Sequence, residues 1–98
     1  MIIRVFRATI REGRVPEFQA MVREQQIPQL ERTNGMLGCF AGAPMDDNSR
    51  EFVVITLWKD LDALKSFAGE DWQRPVVTED ETPLVEKALT HHYLRSDR

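Results

Sequence analysis

Two segments of this chain, Ile2–Ile10 (IIRVFRATI) and Glu51–Trp58 (EFVVITLW), are apolar at odd and even positions alike. In an extended strand, successive side chains point to opposite faces of the sheet. Both faces of any sheet built from these segments therefore need cover. A chain of 98 residues has little with which to provide it. Such a length supports one domain, 1–98, and buries only about 60–65% of its unfolded surface.

The punctuation between the strands sets their order. Arg11-Glu12-Gly13-Arg14 turns the chain out of the first strand, and Pro16 then stands where the first turn of a helix tolerates it. Phe18, Met21, Val22 and Gln25 follow helical spacing. Pro28 lacks a backbone donor, so this helix should stop or kink around Ile27. A further turn from Pro28 to Arg32 should continue at a new angle and bury Leu30, with Asn34-Gly35 as a left-handed C-cap. Met36–Ala43 (MLGCFAGA) reads as a second strand, in which Gly38 and Gly42 point to a bulge or a close backbone approach. Pro44 to Arg50 carries polar turn chemistry and leads into the third strand, Glu51–Trp58.

Asp60 suits the N-cap of a second helix with Leu61, Leu64 and Phe67 on its apolar face, and Gly69 ends it. The stretch from Glu70 to Thr82 shows no clear period, and Ala88–Arg95 (ALTHHYLR) reads as a closing strand. The order βαββαβ, with right-handed crossovers, gives an α+β ferredoxin-like fold. Its four-stranded antiparallel sheet runs 4-1-3-2, with both helices on one face. The other apolar face is left bare, and a second copy of the chain is its simplest cover, so a homodimer is expected.

Charge and cysteine content remove several function classes. Thirteen Lys and Arg against sixteen Asp and Glu give a net charge of −3, which argues against nucleic acid or an anionic membrane as partner. The longest apolar run, Phe52 to Trp58, is far too short to span a bilayer, and no signal-like stretch follows Met1. One cysteine, Cys39, permits neither an internal disulfide nor a thiolate metal site, so a reducing, cytoplasmic location is expected. Glu79-Asp80-Glu81 lacks metal-ligand spacing and reads as solvated surface.

His91 and His92 are adjacent on a strand and so point to opposite faces; they cannot chelate a metal together, and no metal is expected. One of them faces the helices with Phe6, and the other faces the partner. The helix-facing imidazole is either a general base or a hydrogen-bonded interface group. Tyr93 either donates to a substrate oxygen or packs in the core or interface. Arg4 and Arg7 lie on opposite faces of the first strand, and either could hold an oxygen-rich ligand or pair with an acid such as Glu51. Trp58 packs at a strand end or walls a pocket. Trp72, in the long connection, either closes a pocket or anchors the loop.

Several pieces together resemble the antibiotic biosynthesis monooxygenase superfamily of dimeric α+β barrel proteins. They are Ile2 to Gly13, Asn34 to Gly38, the segment Val54 to Phe67 (VITLWKDLDALKSF), and His92-Tyr93. The resemblance implies a homodimer and a pocket between the sheet and the two helices. Its members include cofactor-free oxygenases of phenols and quinols, haem-degrading enzymes, and proteins without assigned activity. The haem-degrading pattern places Asn, Trp and His where this chain has Phe6, Phe67 and Val76, so haem degradation is not expected.

The cofactor-free branch implies that no cofactor is needed and that the ligand is a small aromatic or quinol-type compound. The resemblance, which includes the His92-Tyr93 pair, favours His92 with Tyr93 as the catalytic candidates, and Arg4, Phe6, Trp58, Phe67, Trp72 and His91 are the candidates around the substrate. The alternative is a non-catalytic dimeric binding or stress-associated domain whose pocket is filled by its own side chains. An accessible cavity holding a polar group separates the two readings.

Overall fold

The computed structural model describes residues 1–46 and 49–98. The expected polar turn at 44–50 lies partly outside the described residues. Four strands, β1 (Ile2–Ile10), β2 (Met36–Gly42), β3 (Glu51–Trp58) and β4 (Val85–Leu94), form one antiparallel sheet in the order β2-β3-β1-β4. This is the 4-1-3-2 order of the ferredoxin-like α+β fold expected from the sequence. β1 and β3 occupy the centre, where their two-sided apolar character is most useful.

Between β1 and β2 the chain stays helical, in three pieces: α1 (Val15–Met21), a π-helical turn (Val22–Gln26) and α2 (Ile27–Glu31). Of the two outcomes expected at Pro28, the helix does not stop: it continues through a π-helical turn into α2, which buries Leu30 as expected. A proline inside an α-helix removes one hydrogen bond and clashes with the carbonyl four residues back. Here the preceding turn is widened, with the Ile27 amide donating to Val22, and Pro28 falls in the first turn of α2. The expected C-cap role of Gly35 is also corrected. α2 ends at Glu31, and Gly35, at φ +81°, instead turns the chain into β2.

The final helix, α3 (Leu61–Ala68), has the predicted ends. Asp60 accepts a hydrogen bond from the Ala63 amide at 2.9 Å, and Gly69 closes it with positive φ. Leu37 is the extra residue between Met36 and Gly38 in the β2 register, a bulge next to the glycine that suggested one. β4 begins at Val85, three residues before the expected Ala88, because Glu86 and Lys87 lie exposed on an edge strand and hide its apolar signal.

The helix-facing side of the sheet carries two apolar clusters. Ala8, Ile10, Phe18, Val22, Phe52, Leu84 and Val85 form one, and Leu30, Val54, Trp58 and Leu64 the other. Phe6 and Ile27 pack against both. Burial of each large side chain, such as Trp58, Phe18 or Leu64, contributes about 1.5–3 kcal/mol. Among the described residues no helix covers the opposite face. Ile3, Val5, Ile55 and Leu57 are only half covered there, and Phe40, Leu89 and Tyr93 are exposed. No helix among the described residues is long and apolar enough to cross a membrane.

Candidate functional site

A cavity of about 260 Å³ opens on the helix-facing side of the sheet, bordered by Leu30 and Val54 of the second apolar cluster and by Phe6, which packs against both. Each bordering element contributes to it. β1 supplies Arg4 and Phe6, and β3 supplies Val54 and Thr56, paired across the strands as Arg4–Thr56 and Phe6–Val54. Gln26 of the π-helical turn, with Gln29 and Leu30 of α2, forms a second wall. Phe67 of α3 and the loop residues Val76, Thr78 and Glu81 complete it. An engineered cavity of about 150 Å³ holds benzene, so this one suits a single substituted ring.

Arg4 dominates the electrostatics. Its side chain is 97% hidden, with 3% exposure. Nη1 donates to the Trp72 carbonyl at 2.6 Å and contacts His92 Nε2 at 2.9 Å, and Nη2 donates to the Arg74 carbonyl at 3.2 Å. Among the described residues no carboxylate lies within ion-pair distance of it. Burial lowers its pKa, yet a guanidinium remains charged. The cavity is thus bounded by a cation without a counter-ion. Arg7, on the other face, pairs with Glu51 at 3.8 Å, one of the two outcomes expected for these arginines.

His92 stands behind Arg4. An arginine can only donate, so Nε2 accepts and the imidazole proton resides on Nδ1. Burial first, then the charge of Arg4, holds the His92 pKa below its ordinary value, and the ring is neutral at pH 7. Its lone pair is therefore occupied, and in this arrangement it is no free proton acceptor. Trp72 packs edge-on against the same ring, centroids 4.9 Å apart. Of the two roles open to Trp72, this geometry is that of a loop anchor.

The remaining expected site residues divide by sheet face. Phe6 and Phe67 line the cavity. Trp58 is fully buried beneath it, stacked on Phe67 at 5.1 Å and donating Nε1 to Thr56 Oγ1 at 2.8 Å. His91 and Tyr93 pair with Val5 and Ile3 on the bare face. Strand pleating thus separates Tyr93 from His92, and the two do not form one catalytic pair. For the same reason His91 does not border this cavity.

Five polar residues at the site were not foreseen: Gln26, Gln29, Thr56, Thr78 and Glu81. Glu81, 5% exposed, accepts from the Thr78 hydroxyl at 3.0 Å. Burial raises its pKa; hydrogen bonds from Thr78 oppose the rise and the nearby Asp80 adds to it. A T-x-x-E spacing from Thr78 was the available signal. Gln26 Nε2 is buried with no hydrogen-bond partner, and Thr56 Oγ1, having accepted from Trp58, keeps its own proton to donate. Thr56 could have been found as the polar residue opposite Arg4 on an otherwise apolar face.

The cavity does not fit haem. Phe6, Phe67 and Val76, at the positions of the haem-degrading pattern, all line it, and all are apolar. No lining residue is a His, Cys, Met or Tyr able to ligate iron.

Over residues 1–74 the chain matches the family model described as antibiotic biosynthesis monooxygenase. A Nitrosomonas europaea protein, provisionally named as such a monooxygenase, superposes with a TM-score of 0.78 at 14% identity, covering 97% of this chain and 98% of that one. A NIPSNAP family protein of Agrobacterium tumefaciens gives a TM-score of 0.70 at 22% identity, covering 98% and 93%. No curated protein matches the chain.

Proposed function

The chain belongs to the antibiotic biosynthesis monooxygenase family, and from that premise we propose that it binds a single-ring phenol or quinol and oxygenates it without a cofactor. The observation that carries this reading is Glu81, a buried carboxylate of raised pKa beside an apolar cavity of ring size. An electron-rich quinol reduces oxygen once its hydroxyl proton is removed, so the protein need only desolvate, orient and deprotonate it. Phe6, Val54, Phe67 and Leu30 exclude water from the ring faces, Arg4 holds an oxygen substituent, and Glu81 takes the hydroxyl proton. A base whose pKa lies above the usual carboxylate range is better matched to a phenolic proton.

The step balances without an added reductant. One atom of O2 bonds to a ring carbon and the other leaves as water. The quinol supplies all four electrons and becomes a hydroxyquinone. His92 acts as a positioning residue that fixes Arg4 through Nε2.

The same proposal includes a homodimer formed through the bare face. Val5, Ile55 and Leu57, with exposed Phe40 and Tyr93, present an apolar surface of the kind that pairs with itself.

Oxygen-electrode measurements with single-ring quinols test the chemistry. Expected is uptake yielding hydroxyquinone, with kcat lowered at least a hundredfold in Glu81→Gln and KM nearly unchanged. Full activity in Glu81→Gln removes Glu81 as the base. Binding without any uptake leaves the non-catalytic binding domain as the function.

A further inference from the structure

The cavity is lined by one cation, Arg4, whose hydrogen bonds leave donors unused, and this says something about the ligand. Arg4 has five N–H groups. Both on Nη1 are engaged by Trp72 and His92, and one on Nη2 by Arg74. Nε–H and the second N–H of Nη2 remain, on nitrogens bonded to the same carbon, and such a fork matches the two oxygens of a carboxylate. Gln26 adds a buried amide nitrogen with no partner. Gln26 itself lines the cavity from the wide turn. Thr56 adds a hydroxyl whose oxygen is already used and whose proton is not. Glu81 is the one anionic group among the described lining residues, and the side-chain carbonyls of Gln26 and Gln29 are neutral acceptors.

A buried polar group left without a partner costs about 1–3 kcal/mol, so an amide nitrogen and a cation that find no partner or counter-ion among the described residues mark a site whose complement is a ligand. We infer that the ligand is a single-ring aromatic carboxylate whose carboxylate is held by Arg4 with Gln26 and Thr56 donating to its oxygens. In terms of the reaction proposed above, on which this inference builds, the substrate is a quinol that carries a carboxyl group. Its ring hydroxyl lies toward Glu81, which makes no ion pair with Arg4. A neutral quinol of the same shape leaves Arg4 and Gln26 unsatisfied and binds more weakly. Discrimination then comes from donors left unpaired rather than from pocket size.

Calorimetric titration of the full chain with 2,5-dihydroxybenzoate and with 2,5-dihydroxybenzamide isolates the charge, because the two differ little in shape. The acid is expected to bind at least tenfold more tightly than the amide. Arg4→Met should abolish that preference. Because Arg4 also ties down the loop carbonyls, Gln26→Leu serves as the independent variant. Gln26 Nε2 has no protein partner to lose, so this variant should keep or raise the melting temperature while weakening the acid several-fold.

Equal affinity for acid and amide, no binding of either, or an acid preference untouched by Gln26→Leu overturns the inference. Failure here is distinct from failure of the oxygenation reading. Oxygen uptake with a neutral quinol and no acid preference refutes only the carboxylate, whereas tight acid binding without uptake refutes only the chemistry.

Discussion

Gly35→Ala, set beside Gly13→Ala, separates two costs that usually arrive together. Both glycines adopt nearly the same positive φ, +81° and +80°. A left-handed conformation costs an L-residue about 1–2 kcal/mol, partly offset by the lower entropy of the unfolded alanine chain. At Gly13 nothing lies within 4 Å of the added Cβ, so backbone strain is the whole effect. At Gly35 the added Cβ would lie 2.5 Å from Ala63 Cβ and 3.7 Å from Ala63 Cα. Carbon atoms prefer about 3.5–4.0 Å, and no flexible side chain is present to yield.

Relief at Gly35 therefore requires moving α3 away from the start of β2, although the Lys59 amide is tied to the Gly35 carbonyl at 2.9 Å. Overpacking of this kind adds about 1–3 kcal/mol. Against a total stability of about 5–15 kcal/mol, the difference between the two variants is large. With a urea m-value of about 1–3 kcal/mol/M, Gly35→Ala should lower the midpoint by roughly 1 M or more, and Gly13→Ala by clearly less. Adding Ala63→Gly to Gly35→Ala should restore the overpacking share, less about 1 kcal/mol for a glycine within a helix. Coincident midpoints for Gly13→Ala and Gly35→Ala, or no rescue by Ala63→Gly, refute the argument.

Two further outcomes follow from the site and the bare face. The His92 pKa is depressed in the folded state, so the unfolded chain takes up the proton first as pH falls. Its contribution is full above the ordinary value of 6.5 and is lost on acidification below it; His92→Gln, whose amide oxygen can also accept from Arg4, should flatten that part of the urea-midpoint profile. An unchanged profile in His92→Gln removes His92 as the cause. Sedimentation equilibrium should show a dimer at micromolar concentration and a folded monomer for Phe40→Glu, while a wild-type monomer sinks the sheet-to-sheet association.

The elements most legible in the sequence were those specified by neighbouring residues. β1, β3 and α3 have their ends where alternation, Asp60 and Gly69 put them. β4 was read short because an edge strand tolerates exposed Glu86 and Lys87, one on each face. Phe6 and Phe67 were singled out through the family resemblance, as the residues standing at positions of the haem-degrading pattern, and both line the cavity. Glu81 was hidden in an acidic run that looks like solvated surface, and only the fold of the 70–84 loop buries it. Gln26 was invisible for a different reason. Helical spacing assigns side chains on the assumption of 3.6 residues per turn, and the chain departs from that spacing just before Pro28. The separation of His92 from Tyr93, by contrast, was available from strand parity alone.

The wide turn at Val22–Gln26 amounts to one spare residue threaded into an otherwise ordinary helix. Every residue of an α-helix advances the face it presents by about 100°. Excising that residue would let the segment rewind regularly, swing the amide of Gln26 out of the cavity wall and return the Pro28 ring to a collision with the turn before it. A single-codon deletion there would thus rewrite ligand preference and helix integrity in one stroke, with the sheet beneath left as it was.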